Sequence, residues 1–209
     1  MKQILILLSI MILFISCTCT RQPAQQPFPA VDSPQAEISS QTDTSSQTET
    51  PSQAAELSFS FTRQSGSASN QFAVWIENAQ GQFVKTLYAT RWTAAGGWER
   101  RPTSIPIWVS RSGLAALTST EIDAVSGATP RTSALTYTWD GTDSRGAAVP
   151  DGSYVLILEG TLRWENQVLY RAPILLGSGA ATVSVSVEYA GDSTAERGMI
   201  SDVQVRTLR

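Results

Sequence analysis

Residues 123–129 read Asp-Ala-Val-Ser-Gly-Ala-Thr, and their residue types could support chemistry. Ser126 and Thr129 carry hydroxyl groups, while Gly127 and the alanine after it are small enough for another backbone to approach closely. The same composition also suits a tight loop between a short helix and a strand, in which both hydroxyls bond the backbone. The segment is therefore either a site or a structural turn, and the rest of the chain must position it.

The residues that the chain lacks exclude most catalytic chemistry. There is no histidine, which removes Ser-His-Asp and Cys-His catalysis and the commonest zinc ligand. The two cysteines, Cys17 and Cys19, lie near the N-terminus, so the rest of the chain has no thiolate chemistry. Ser126 has no evident base, since Lys85 is the only lysine after Lys2 and lies in a predicted strand. A hydrolase is therefore a poor match to this sequence.

The charge balance argues against nucleic acid as the main partner. The 209 residues include 15 Lys and Arg against 18 Asp and Glu, a net charge of -3. Binding to a phosphate backbone needs a clustered positive surface. Because the first third of the chain is unlike a folded domain, we expect one globular domain.

The N-terminus has the features of an export signal over residues 1–16. Met1-Lys2 begins a short positive region, and residues 4–15 are apolar except for Ser9, a run too short to span a membrane comfortably. The following Ser16-Cys17 resembles the end of a bacterial lipoprotein signal, where a small residue precedes an invariant cysteine. This resemblance implies lipidation of Cys17 and anchoring on the periplasmic side of the inner or outer membrane. An ordinary secretion signal or an uncleaved anchor is the alternative.

Residues 17–55 are predicted to be a disordered tether. They are rich in Gln, Ser, Thr, Pro and Ala, with hardly a large apolar residue after Val31. Such a segment cannot bury enough apolar surface to offset the entropy of ordering it. Its role would be to join the membrane to a folded domain of residues 56–209.

Strand patterns recur throughout residues 56–209. Leu57, Phe59 and Phe61 alternate with polar residues. Similar strand signals occur at residues 72–76, 83–88, 134–139, 154–158, 168–176, 182–189 and 203–205. About eight short strands with turn residues between them predict an all-β, immunoglobulin-like antiparallel β-sandwich. Only residues 113–125 could hold a short helix.

One loop carries a recognisable pattern. Trp-Asp-Gly at 139–141, a polar loop, Pro-Asp-Gly at 150–152 and then Tyr154 resemble the immunoglobulin-like repeat of flagellar-hook capping proteins. The pattern predicts a hairpin between residues 134–139 and 152–157, with the Trp and the Tyr in the core and aspartates bonding turn amides. A calcium site is the alternative for these aspartates, which are Asp140, Asp143 and Asp151, although the bidentate Glu of a helix-loop-helix calcium loop is missing.

Residues 89–120 form a long loop insertion that contains tryptophan and arginine. These residues are Trp92, Trp98, Trp108, Arg91, Arg100, Arg101 and Arg111. A loop this long in a compact domain is usually functional or disordered, and its tryptophans argue against disorder. One interpretation is an aromatic and basic wall beside Thr129, with Trp98, Trp108 and Arg101 stacking a flat ring and pairing with phosphate. The other is a covering flap that closes an open end of the sandwich.

Four features occur here in one order. They are the hairpin at 72–88, Arg-Pro-x-x-Ile-Pro-x-Trp at 101–108, Asp-Ala-Val-Ser-Gly-Ala-Thr-Pro at 123–130 and the Trp-Asp-Gly loop. That order resembles the uncharacterised bacterial periplasmic family called domain of unknown function 2271, over residues 57–207. The resemblance implies the periplasm and the β fold, and it implies no particular activity.

Segment 123–129 is also similar to the acceptor motif of proteins that are covalently flavinylated outside the cytoplasm, such as the FMN-binding subunits of sodium-pumping quinone reductases. In that family a transferase joins the FMN phosphate to the threonine that ends Ser-Gly-Ala-Thr. Carried over, Thr129 would be the acceptor, Ser126 and Gly127 would complete the motif, and Asp123 would orient the loop or meet the transferase. Arg131 departs from that family, which often has Thr or Ser two residues after the acceptor.

This resemblance implies a membrane-tethered electron carrier with FMN attached at Thr129. Its partners would be a flavin transferase and membrane redox proteins, and no residue would act as a catalytic acid or base. The alternative is a non-catalytic immunoglobulin-like module that binds or supports another component of the cell envelope.

Overall fold

Two open β-sheets form the framework of the domain. The computed structural model describes residues 56–64, 71–131, 133–192 and 194–209, all within the compact unit Glu49–Arg209. The predicted signal (1–16), the lipidated Cys17 and the predicted tether (17–55) lie outside the described residues. The prediction of a mostly β, sandwich-like domain is confirmed.

Each sheet combines strands from distant parts of the chain. Sheet A has the order β5-β1-β10-β8, and its strands are β1 (Leu57–Arg63), β5 (Ser133–Trp139), β8 (Ala181–Val183) and β10 (Ile200–Thr207). Sheet B has the order β4-β3-β2-β6-β7-β9, and its strands are β2 (Gln71–Asn78), β3 (Phe83–Thr90), β4 (Ser126–Gly127), β6 (Gly152–Arg163), β7 (Asn166–Leu176) and β9 (Ser186–Ala190). The pairing of β3 with β4 is parallel, and the other described pairs are antiparallel.

The helical content exceeds the prediction. The helices are α1 (Trp98–Arg100), α2 (Pro106–Arg111) and α3 (Ser119–Val125), with helical turns at Thr93–Gly97, Leu114–Ala116 and Arg197–Met199. Only α3 and the turn Leu114–Ala116 fall within residues 113–125, so the expectation of helix in that range alone is wrong. Proline suits the first helical turn of α2, where its missing N–H costs no hydrogen bond. Among the described residues, no helix has the length and apolar character needed to cross a membrane.

Two hydrophobic clusters hold the domain together. The first lies between the sheets and includes Phe59 and Phe61 of β1 with Val74 of β2. The second lies on the other face of sheet B, where Trp75 of β2 packs with Trp108 of the insertion. Successive residues of a strand face opposite sides, so β2 is buried on both of its faces. The insertion therefore covers the outer face of sheet B, not an open end of the sandwich.

The hairpin predicted around the Trp-Asp-Gly loop is wrong. β5 belongs to sheet A and β6 to sheet B, so the connection between them passes from one sheet to the other. The rings of Trp139 and Tyr154 meet in the core at 5.4 Å with an interplanar angle of 66°. Asp143 accepts from the backbone amides of Arg145 and Ala147, as predicted for a turn. An alternating pattern shows which face of a strand is buried, but it does not show which other strand pairs with it.

The strand predicted at residues 182–189 is two strands in different sheets. β8 pairs with β10 in sheet A, whereas β9 pairs with β7 in sheet B. The break falls at residues 184–185. Alternation of valines continues across the break, because both short strands turn one face towards the same interior.

Candidate functional site

Segment 123–129 lies where α3 passes into β4 at one end of sheet B. A capping box begins α3, in which Thr118 and Glu121 each accept from the other's backbone amide. β4 then runs parallel to the end of β3, with Ser126 opposite Ala89. The loop that follows contains Ala128, Thr129 and Pro130. The sequence thus predicted correctly that this segment joins a short helix to a strand, although its first three residues belong to α3 itself and the next two form β4.

The backbone on both sides of Thr129 is fixed by side chains from other strands. The hydroxyl of Tyr88 in β3 donates to the carbonyl oxygen of Ala128 over 2.7 Å. The guanidinium of Arg63 in β1 donates to the carbonyl oxygen of Pro130. These two bonds hold the loop against both sheets and leave few conformations to the residue between them.

The Thr129 hydroxyl is half-buried and faces the start of β2. Gln71 Nε2 donates to Thr129 Oγ1 over 3.4 Å. The other end of that amide, Oε1, accepts from the hydroxyl of Thr93 at 3.3 Å. Thr93 Oγ1 in turn lies 2.6 Å from Ser104 Oγ. The loop is therefore connected to the interior of the insertion through side chains.

Burial dominates the electrostatics beside the loop. Burial lowers the pKa of the Arg63 guanidinium and raises the pKa of the Tyr88 phenol. The pKa of Tyr137 is also raised by burial, and its ring lies 5.0 Å from that of Tyr88. A cation and two neutral phenols thus sit in a low-dielectric environment next to Pro130. Such an environment strengthens hydrogen bonds and charge interactions at its edge.

The remaining polar residues of the segment point in different directions. Asp123 is exposed on α3 and forms an ion pair with Arg91 at 2.7 Å, which joins α3 to the start of the insertion. Ser126 Oγ is shielded from solvent and has no hydrogen-bond partner among the described residues. Ser126 is therefore poorly placed to meet a second protein, whereas Asp123 is accessible to one.

The insertion does not form the predicted wall. Trp108 is fully buried, and its Nε1 donates to Thr86 Oγ1 at 3.0 Å, so its ring cannot stack on a ligand at the surface. Trp98 is half-buried against the same cluster. The accessible aromatic is Trp92, which is 39% exposed and has the guanidinium carbon of Arg101 5.3 Å from its ring centroid. The insertion thus combines a covering role with one exposed aromatic and basic pair.

Sequence reasoning missed several residues that surround Thr129. They are Arg63, Gln71, Tyr88, Thr93 and Ser104, and the contacts of Arg63 and Gln71 with the loop cross 67 and 58 residues of sequence. Contacts between residues so far apart in the sequence depend on which strands pair and in which register. The sequence pattern determined neither. A weak signal existed in Gln71, a polar residue at the head of a strand whose next five residues are apolar.

Two other features of the structure concern possible ligands: a groove beside α3 and the arrangement of the acidic side chains. A groove of about 380 Å³ lies between α3 and β3 and is lined by Phe83, Leu117, Val125 and Lys85 among others. Val125 immediately precedes β4, but Thr129 is not part of the lining. In the described part of the chain, no three His, Cys, Asp or Glu side chains cluster as metal ligands would. The oxygen of Asp140 instead lies 3.0 Å from Lys85 Nζ.

Fold and site together define a two-sheet β domain with a helical insertion on one face and a small-residue loop fixed at one end. The chain belongs to the family described as predicted periplasmic protein (DUF2271), whose model matches residues 53–193. The predicted family and its periplasmic compartment agree with this match. No curated protein and no solved structure matches the chain. Flavin attachment and lipidation stay predictions.

Proposed function

We propose that this protein is a periplasmic electron carrier with FMN joined through its phosphate to Thr129 Oγ1 and with lipid on Cys17 as its membrane anchor. The observation that carries the proposal is the setting of Thr129. Bonds from Tyr88 and Arg63 fix the carbonyls on either side of it, and its hydroxyl is half-buried on a loop of small residues. A hydroxyl held in this way is presented to a modifying enzyme with little loss of entropy.

Attachment would form a phosphoester. Thr129 Oγ1 bonds to phosphorus and loses its proton, while a phosphoanhydride bond in a flavin-nucleotide donor breaks and a nucleoside monophosphate leaves. The step transfers no electrons, so it needs a transferase and a donor but no oxidant. Ala128, the residue before Thr129, is small and exposed, which favours access by the transferase.

The cation bonded to the loop and the basic and aromatic pair of the insertion have side chains that suit a phosphorylated aromatic group. Arg63 is a buried cation bonded to the residue after Thr129, and Arg101 is a second cation, which bonds Ser104 in the insertion. Trp92 beside Arg101 offers part of an indole ring to the surface. Phosphate favours arginine, and flat rings favour tryptophan. When bound, the flavin supplies the redox chemistry that these side chains lack.

The tether would let the carrier move between membrane proteins. Several acyl chains on Cys17 would anchor it stably, and the predicted tether at 17–55 would give the domain a radius within which to meet its partners. Those partners would be the flavin transferase and membrane redox proteins. The accessible Asp123 is the residue of the segment best placed to contact the transferase.

The second candidate function is a non-catalytic binding module of the cell envelope. The apolar side chain of Leu175 on β7 is 55% exposed, so it is available for contact with another protein of the envelope.

Co-expression of the exported full chain with a flavin transferase tests the proposal. Intact mass and in-gel fluorescence should reveal one flavin phosphate per chain. We expect the adduct to be lost in Thr129→Ala and kept in Ser126→Ala, which removes the buried hydroxyl of the same segment. An unmodified wild-type chain beside an active transferase would favour the binding module instead.

A further inference from the structure

A continuous chain of hydrogen bonds links Thr129 to a cation in the insertion. Arg101 Nη2 lies 3.4 Å from Ser104 Oγ, which lies 2.6 Å from Thr93 Oγ1. Thr93 is 3.3 Å from Gln71 Oε1, and Gln71 Nε2 is 3.4 Å from Thr129 Oγ1. Here we call the four side chains of Arg101, Ser104, Thr93 and Gln71 the hydroxyl relay.

The relay has one direction. A guanidinium can only donate, so Ser104 accepts from Arg101. The Thr93 hydroxyl proton lies on the bond to Gln71 Oε1, so Ser104 must donate to Thr93. The amide of Gln71 then presents its N–H to Thr129. Every donor therefore faces Thr129, and the last acceptor in the series is the Thr129 oxygen.

Burial strengthens the effect that this donor direction has on Thr129. Thr93 and Ser104 are fully buried, and Gln71 is 2% exposed. Hydrogen bonds in a low dielectric polarise one another, and a charged donor at the start increases the effect. Arg101 supplies that charge from beside the Trp92 ring. Three of the four bonds are long, at 3.3 to 3.4 Å, and hydrogen bonds at reacting groups are commonly long before the reactant binds.

We propose that the hydroxyl relay positions and polarises Thr129 Oγ1 for attachment of the flavin phosphate. The inference rests on the proposed function and deepens it. Gln71 occupies one lone pair of Oγ1, which leaves the other lone pair for the phosphorus atom and turns the hydroxyl proton away from the protein interior. The relay also stabilises the negative charge that develops on Oγ1 as its proton leaves for a base of the transferase and the phosphoanhydride bond of the donor breaks. The positioning residues are therefore Gln71 of β2 and, in the insertion, Thr93, Ser104 and Arg101. The insertion affects Thr129 through these side chains.

The test compares two substitutions at one buried position. Thr93→Val keeps the shape of the side chain and removes its hydroxyl, whereas Thr93→Ser keeps the hydroxyl. Thr86→Val is the matched control, because the Thr86 hydroxyl also lies beneath the insertion and bonds Trp108 outside the relay. The initial rate of flavin attachment is measured with the full chain, a purified flavin transferase and FAD as the donor. Thermal unfolding confirms that each variant is folded.

We expect Thr93→Val to be modified about tenfold more slowly, because it removes the hydrogen bond that orients Gln71 towards the reacting group. Thr93→Ser and Thr86→Val should retain a rate close to that of the wild type. If Thr93→Val does not fold, Arg101→Met replaces it, since this change removes the cation from a partly exposed position and should also slow attachment.

A second readout does not depend on the flavin. In the unmodified protein, the side-chain amide signals of Gln71 in an NMR spectrum should shift and exchange faster with solvent in Thr93→Val and Arg101→Met, and stay in place in Thr86→Val. A folded Thr93→Val or Arg101→Met chain that is modified at the wild-type rate overturns this inference and leaves the proposed function intact. A wild-type chain that takes no flavin overturns both, even where the Gln71 signals change as expected.

Discussion

The Tyr88 hydroxyl donates to the carbonyl of Ala128, and Gly127 lies directly against the same phenol. A Cβ atom at position 127 would stand 2.8 Å from the Tyr88 oxygen, closer than van der Waals contact allows. Glycine is therefore needed here for the close approach of the phenol. The small residues of the segment thus also serve to let β3 hold the loop beside Thr129.

Replacing Gly127 should loosen the loop. We expect Gly127→Ala to destabilise the protein by about 1–3 kcal/mol, the usual cost of an added methyl in a packed site, and to slow flavin attachment. Tyr88→Phe removes the oxygen that the new methyl would strike. The double variant should therefore be more stable than the sum of the two single effects, as measured by urea unfolding. Strict additivity would show that the two residues do not interact.

Glu159 should make stability depend on pH. Its side chain is 1% exposed and accepts from the backbone amides of Ile107 and Trp108 at 3.0 and 2.7 Å. Burial raises its pKa from 4.5 to about 7, against the opposing effect of those two bonds. A carboxyl whose folded pKa is raised stabilises the fold while protonated, so this contribution is present below pH 4.5 and is lost as the pH rises through about 7.

Glu159→Gln isolates that contribution. Between pH 4.5 and about 7, the free energy of unfolding of the wild type should fall relative to that of the glutamine variant by an amount on the order of 3 kcal/mol. Urea unfolding of both proteins across this range measures the difference. Parallel pH profiles would mean that the carboxyl keeps its ordinary pKa in the folded state.

Substitution of Asp123 can separate recognition by the flavin transferase from the stability of the fold. Its ion pair with Arg91 is more than half exposed on both sides, and such pairs contribute about 0–1 kcal/mol. We expect Asp123→Asn to leave the unfolding temperature nearly unchanged and to lower the rate of flavin attachment severalfold. Arg91→Gln breaks the same ion pair and is the control. Equal losses of rate in both variants would assign the effect to the ion pair instead of to the transferase.

Cys17 should determine where the protein is found. In Cys17→Ser the acyl chains have no attachment point, so we expect the protein to move from the membrane fraction to the aqueous periplasmic fraction. Metabolic labelling with a fatty acid gives an independent measure, because the label should be absent from the variant. Cys19→Ser serves as the control. Labelled Cys17→Ser protein would contradict the predicted anchor.

The sequence predicted the strands better than their partners. Alternation placed Phe59 and Phe61 in the core, where both are buried. The same signal could not tell that Trp139 and Tyr154 meet across the core from different sheets, since periodicity describes one strand at a time. The sequence did not predict helix α2, because Pro106 suggested a loop. Proline is tolerated in the first turn of a helix, where its missing N–H costs no hydrogen bond.

Local pattern found the candidate acceptor and missed its surroundings. Thr129 lies in a contiguous stretch of small residues, which sequence can reveal. Gln71 and Arg63 reach it only because the end of β1, the start of β2 and the end of β4 meet at one end of the domain, and that arrangement follows from the register of distant strands. The burial of Trp108 was equally hidden, because tryptophan suits both an exposed wall and a core.

The most direct test of the central claim locates the flavin on the chain. The wild-type protein is co-expressed with a flavin transferase and digested with trypsin, which should release residues 112–131 as one peptide. Fragmentation of that peptide in a mass spectrometer should place one flavin phosphate on Thr129 and none on Ser126. Peptide 112–131 recovered only in unmodified form, or a flavin placed on any other residue, would contradict the proposed function.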